Sequence, residues 1–213
     1  IKDRGRETLT NPHWNSIGEI IQACAYQYNI DLWEDQENHV ELMVEKQALE
    51  GVLEPVCRKW DIGFTANKGY SSSSAMYEVG KRLVSKARRK ELHVLYLGDH
   101  DPSGIDMTRD VEERLQLFSK AAVTVHRIAL NMDQVSRYNP PENPAKITDS
   151  RAADYIKRYG RSSWELDALE PRTLVQLVET KIKGLLDEDL FNSRKRYRNE
   201  QRELLTEIAE EHQ

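Results

Sequence analysis

The sequence is poor in cysteine, with two in 213 residues. Cys24 and Cys57 cannot supply a disulfide framework or a zinc site, neither belongs to a CxxC pair, and both are read as reduced and buried. Long apolar runs are also missing. Every hydrophobic stretch breaks well before the ~18 residues that mark a transmembrane helix, and the opening residues Ile1 to Arg6 lack the apolar region of a signal peptide. A cytoplasmic protein without a membrane segment is therefore expected. No methionine opens the chain, which implies a longer chain upstream or trimming. Internal repeats and sustained heptads are absent, and low complexity is confined to Ser71–Ser74. Nor is there a surplus of positive charge: 31 Lys+Arg against 36 Asp+Glu give a formal net charge of -5. That balance argues against indiscriminate coating of nucleic acid, yet it leaves room for a local basic stripe and for acids that hold metal.

The apolar content of 38% suffices for a core and excludes disorder, although the charged fraction of 31% exceeds the roughly 25% of an ordinary domain. An amphipathic lead-in helix is expected over His13 to Tyr28, where Trp14, Ile17, Ile20, Ile21, Cys24 and Tyr28 recur at helical spacing. From His39 onward, short apolar runs alternate with helical stretches about every 30 residues, the pattern of βα units and a mainly parallel sheet. The strands are expected at Val40–Val44, Ile62–Ala66, Leu92–Leu97 and Val123–Ile128. Between them lie a helix carrying Leu49, Leu53, Val56 and Trp60 that Pro55 kinks or divides, one from Ala75 to Arg89 with Met76, Val79, Leu83 and Val84 inward, and one starting after Asp101. Pro140, Pro141 and Pro144 mark a loop, beyond which the tail is helical. The resulting organisation is an N-terminal helical lead-in at 1–38, an α/β domain at 39–170 with a four-stranded sheet flanked by helices, and a C-terminal helical extension at 171–213.

Open parallel sheets bind ligands beyond the carboxyl ends of their strands, and acids stand at two such ends. Glu45 closes the first strand, and Asp99 and Asp101 follow the third in Gly98-Asp99-His100-Asp101-Pro102-Ser103-Gly104. If those strands are neighbours, three carboxylates converge, and their repulsion calls for a hard divalent cation such as Mg²⁺ or Mn²⁺. Each residue also has a plainer reading. Asp101 before Pro102 makes a good helix N-cap, Asp99 an ordinary turn residue, and Glu45 beside Lys46 a solvated strand end. His100 reads as a turn residue pointing away from the acids, because Mg²⁺ prefers oxygen.

The pairing of Val44-Glu45-Lys46 with Asp99-His100-Asp101-Pro102-Ser103-Gly104 resembles the Toprim domain of topoisomerases, primases and some nucleases, most of all the A subunit of topoisomerase VI and its meiotic double-strand-break relative. Lys68-Gly69-Tyr70-Ser71 falls where that family has a glycine-bearing loop, and Glu165-Leu166-Asp167-Ala168-Leu169 is similar to its downstream acidic stretch. The resemblance implies a Rossmann-like Toprim fold and Mg²⁺-dependent cleavage of DNA phosphodiester bonds, with Mn²⁺ able to substitute. It further implies Glu45 as general acid/base or metal ligand, Asp99 and Asp101 as metal ligands, and Glu165 as a further candidate ligand. In the topoisomerases the nucleophile is a tyrosine on a winged-helix domain ahead of this region. Tyr26 and Tyr28 are poor substitutes, so an upstream segment or separate subunit supplies it, or water attacks and the protein is a nuclease. The resemblance also implies a homodimer, because topoisomerase VI cuts both strands of a duplex.

For DNA contact the candidates are Lys46, Lys68, Gly69 and Ser71 near the sheet's carboxyl edge, and Arg194 and Arg198 on the last helix. That basic stripe is equally explained as a solvated helix with Glu200, Glu203 and Glu207 for partners. The rival reading of the whole chain is a non-catalytic Toprim-fold module that binds DNA or docks a partner.

Overall fold

The computed structural model describes residues 11–67, 72–86 and 89–213. Two compact units emerge, one from 1–32 with 189–213 and the other from 33–188. The larger unit is α/β, as the alternation of apolar runs and helical stretches predicts. Its four strands, β1 (Asn38–Val44), β2 (Gly63–Ala66), β3 (Glu91–Leu97) and β4 (Val123–Ala129), form one sheet in the order β2-β1-β3-β4. All three pairings are parallel, with Val44 opposite Leu97 at the carboxyl ends of the central pair. Both central strands are mostly apolar on both sides, Glu41 and His93 apart, because both faces are covered: Val40–Val44 and Leu92–Leu97 are buried throughout.

One face packs against α3 (Ser73–Lys86) and α4 (Pro102–Ser119), where Met43, Val94 and Tyr96 meet Met76, Leu83 and Leu115. The other face carries α2 (Glu50–Trp60) and α7 (Pro171–Lys183). α7 belongs to the sheet-bearing unit, although its sequence groups with the C-terminal helices, because Leu174, Val178 and Ile182 form a fully buried stripe. Pro55 does not divide α2. The break comes earlier, at a 3-10 turn over Gln47–Leu49, and Pro55 sits exposed in the helix with no backbone N–H to offer the Gly51 carbonyl. Val84, expected inward, is 48% exposed; Met76, Val79, Gly80 and Leu83 form the buried face of α3 instead.

Mid-strand Glu41 is a buried charge with partners: Arg82 of α3 donates to both carboxylate oxygens, at 3.2 and 2.6 Å, and His39 Nε2 lies 3.5 Å away. Burial alone would raise its pKa, but the His39 and Arg82 hydrogen bonds turn the net shift downward. Past β4 come α5 (Met132–Tyr138), a two-residue ribbon of β5 (Asn143–Pro144) and β6 (Ser162–Ser163) around α6 (Ala152–Tyr159), and a 3-10 turn at Leu166–Ala168. The proline-rich stretch, expected as a loop, thus contributes one short strand.

The smaller unit pairs α1 (Ile17–Gln27) with α8 (Glu188–Glu211). Its buried α1 residues are Gly18 and Ala25, because α1 comes so close to the end of α8 that a Cβ on Gly18 would stand 2.6 Å from the Ala209 carbonyl oxygen. Small residues make that approach possible, so the larger apolar ones turn outward: Trp14, Ile17 and Ile20 are exposed, and so is Cys24, which was expected buried. Cys57 is buried, as expected. Among the described residues no helix is long and apolar enough to cross a membrane.

Candidate metal centre

Because β1 and β3 are neighbours in register, the acids that follow them meet. Glu45 continues the pairing by one residue, its N–H donating to the Leu97 carbonyl at 2.9 Å. Its side chain then turns under the next loop, where Oε2 accepts the Asp99 backbone N–H at 2.9 Å. The carboxyl is 6% exposed, and burial, then the Asp99 charge, push its pKa up to about 7. The space for it exists only because residue 98 is glycine: a Cβ there would stand 2.7 Å from Glu45 Oε2.

Asp99 is buried beside it. Oδ1 accepts the Leu166 N–H at 2.7 Å and lies 3.2 Å from Lys46 Nζ, so burial raises its pKa while those two contacts oppose the rise. Lys46 Nζ also binds Glu165 and reaches Asp167 Oδ1 at 2.8 Å. Its pKa is raised: burial, which favours the neutral amine, is outweighed by the hydrogen bonds that the ammonium donates to Asp167 and Glu165 and by the Asp99 charge. Asp99, Glu165 and Asp167 each present one oxygen within 4.8 Å of the others, close enough that one cation could bind all three. One ammonium group therefore sits where three carboxylates converge.

Glu45 and Asp101 are outside that trio. Asp101 takes its plainer role as N-cap of α4, with Oδ1 accepting Gly104 N–H at 2.6 Å and Ser103 Oγ at 3.0 Å, and Pro102 in the first turn. Its charge still reaches Glu45, whose pKa it helps to raise. Gly104 completes the turn, since a Cβ at that position would collide with the Asp99 carbonyl oxygen. His100 turns away from the acids. Its backbone bridges Trp164 in both directions, at 2.8 and 3.0 Å, and its ring packs among Tyr155, Tyr159 and Trp164. Burial lowers its pKa to about 4 and keeps it neutral.

Two contributors escaped the sequence reading. Asp167 is delivered with Glu165 because fully buried Leu166 lies between them and its N–H is tied to Asp99. The signal was present as acids at i and i+2 around an apolar residue. The other is Arg127 of β4, whose guanidinium donates to the carbonyls of Gly98 (3.0 Å), Asp99 (2.5 Å), Gly104 (2.9 Å) and Leu130 (3.2 Å). It is a positioning residue: it fixes the backbone that carries Asp99 and leaves a half-buried positive charge close to the acids. Burial lowers its pKa, and Glu45, Asp99 and Asp101 offset part of that fall.

Lys68, Gly69 and Ser71 lie outside the described residues. Arg194 and Arg198 belong to the smaller unit and are engaged within it, Arg194 donating to the Asp31 carbonyl at 2.8 Å and Arg198 to Asn29 Oδ1 at 3.2 Å. Comparison with protein-family models, with curated proteins and with solved structures finds no match to this chain.

Proposed function

We propose that the protein cleaves DNA phosphodiester bonds with a divalent cation, Mg²⁺ or in its place Mn²⁺, at a Toprim-like acidic site on the carboxyl edge of β1 and β3. The observation that carries this reading is the ammonium of Lys46 seated among Asp99, Glu165 and Asp167. A cluster of oxygen donors already occupied by a stand-in cation has the chemistry of a hard-metal site. Asp99 would hold the metal with Glu165 and Asp167, and Asp101 adds negative charge nearby. A cation bound there supplies charge stabilisation at the phosphoryl oxygens and a lowered pKa for a coordinated water.

Glu45 stands next to this cluster with a pKa of about 7. A carboxyl poised there can give or take a proton at neutral pH, which suits it as the general acid/base of strand cleavage. Arg127 holds the Asp99 loop in place from beneath. Lys46, once displaced from the carboxylates, is free to meet a phosphate. A tyrosine nucleophile from an upstream winged-helix segment or another subunit, and a homodimer to cut both strands, complete the topoisomerase form of the proposal; water as nucleophile gives the nuclease form.

The test is a supercoiled-plasmid assay with Mg²⁺, Mn²⁺ or EDTA, comparing wild type with Asp99→Ala and treating products with protease before the gel. Nicked or linear DNA made by wild type alone supports hydrolysis, and DNA released only by protease supports a covalent tyrosine intermediate. Cleavage that persists in EDTA or in Asp99→Ala sinks the assignment. A second reading, a non-catalytic module for DNA or a partner, draws on the same Lys46, which neutralises the acids without any metal. It predicts DNA or partner binding that EDTA does not alter, and no cleavage.

A further inference from the structure

A cavity of about 430 Å³ lies between α5, α7 and the end of β4. Arg127, Arg137 and Lys181 line it, with Tyr138, Gln176 and Thr180, and no carboxylate does. In a chain whose acids outnumber its bases, 36 to 31, an acid-free lining that carries the Arg137 and Lys181 side chains is a local positive potential. Neither Arg137 nor Lys181 forms an ion pair with a described residue. Arg137 lies over the Tyr138 ring at 5.4 Å, and the Lys181 charge is felt by His93 and His126, both held below their ordinary pKa, burial first and Lys181 adding to it for each. Arg127 lines the cavity but donates nothing into it, because its N–H groups are taken by backbone carbonyls and Thr108.

These groups match a phosphate. A guanidinium offers paired donors to two of its oxygens, an ammonium a point charge, and the Thr180 hydroxyl and Gln176 amide can donate to the rest. Tyr138, half-buried in the lining, offers an aromatic surface for a flat ring, and the volume lies in the range of small-molecule sites. We propose that this cavity binds the phosphate of a nucleotide through Arg137 and Lys181, with the base against Tyr138. The nucleotide comes either free or as one unit of a single DNA strand. The cavity and the metal centre share only the half-buried Arg127.

The test is calorimetric titration of the full chain at low salt, with ADP and separately with a short oligothymidylate. EDTA is present throughout, so that no cation at Asp99 recruits the phosphates. ADP binding that weakens about tenfold or more in Arg137→Ala/Lys181→Ala establishes a free-nucleotide site. Oligothymidylate binding with the same loss, and no ADP binding, establishes a strand-binding site. Absence of binding to both ligands, or affinity unchanged in the double variant, overturns the proposal. Both substitutions remove side chains without ion pairs, so the variant should melt within a few degrees of wild type.

Discussion

Replacing Glu45 by glutamine should stabilise the protein at alkaline pH and leave it nearly unchanged in acid. The carboxyl has a pKa of about 7 in the folded chain against an ordinary value of 4.5. Below pH 4.5 it is protonated in both states and costs nothing. As pH rises, the unfolded chain ionises first while the folded carboxyl keeps its proton, so stability falls until the folded group ionises too, near pH 7. The full gap is roughly 2.5 pH units, at about 1.36 kcal/mol each. Between pH 5 and pH 8.5, where part of the loss has already occurred at the acid end, roughly 2.5 kcal/mol should separate the two proteins. Glutamine keeps an oxygen to accept the Asp99 N–H, so the loop is preserved. Urea denaturation in EDTA across that range measures the difference directly. Wild type should lose stability relative to Glu45→Gln as pH rises, and Mn²⁺ should restore it. Parallel pH profiles for the two proteins would refute both the raised pKa and the acid/base role built on it.

Removing the Lys46 ammonium should free the acid trio, so Lys46→Met is expected to bind Mn²⁺ on the order of tenfold more tightly than wild type in a calorimetric titration; equal or weaker binding would show that the ammonium is no stand-in. Gly104→Ala should cost about 1–3 kcal/mol by driving a methyl group into the Asp99 carbonyl, and should abolish Mn²⁺ binding with it. A variant with wild-type melting and metal affinity would contradict the packing of that turn. Arg82→Ala leaves the buried Glu41 charge short of its main partner and should cost about 3 kcal/mol in urea denaturation. In a Glu41→Gln background the same change should cost markedly less, and equal losses in both would argue against a charge effect.

Strands and acids were readable for a shared reason. A parallel sheet covered on both faces demands unbroken apolar runs, and such runs end where ligands gather, so Glu45 and Asp99 stood out. Their convergence depended on β1 pairing with β3, which no local pattern dictates and the register establishes. Asp167 was harder to see because its position is set by contacts 67 residues apart in sequence, the Leu166 N–H to the Asp99 carboxylate. Arg127 hid inside Val123–Ala129, where it reads as the polar residue of an edge strand; only the fold shows its guanidinium among the loop carbonyls. Helix α1 misled for the opposite reason. Its large apolar residues follow helical periodicity, but the close helix contact is made by Gly18, which periodicity of size cannot reveal.

In the proposed site a divalent cation takes the place of the Lys46 ammonium in the Asp99, Glu165 and Asp167 cluster. Anomalous scattering from crystals soaked in Mn²⁺ tests it most directly. One strong peak is expected about 2.1 Å from an Asp99 carboxylate oxygen, with oxygens of Glu165 or Asp167 also bound and Lys46 swung clear. A cluster still bridged by Lys46, with no peak beside Asp99 at millimolar Mn²⁺, would contradict it.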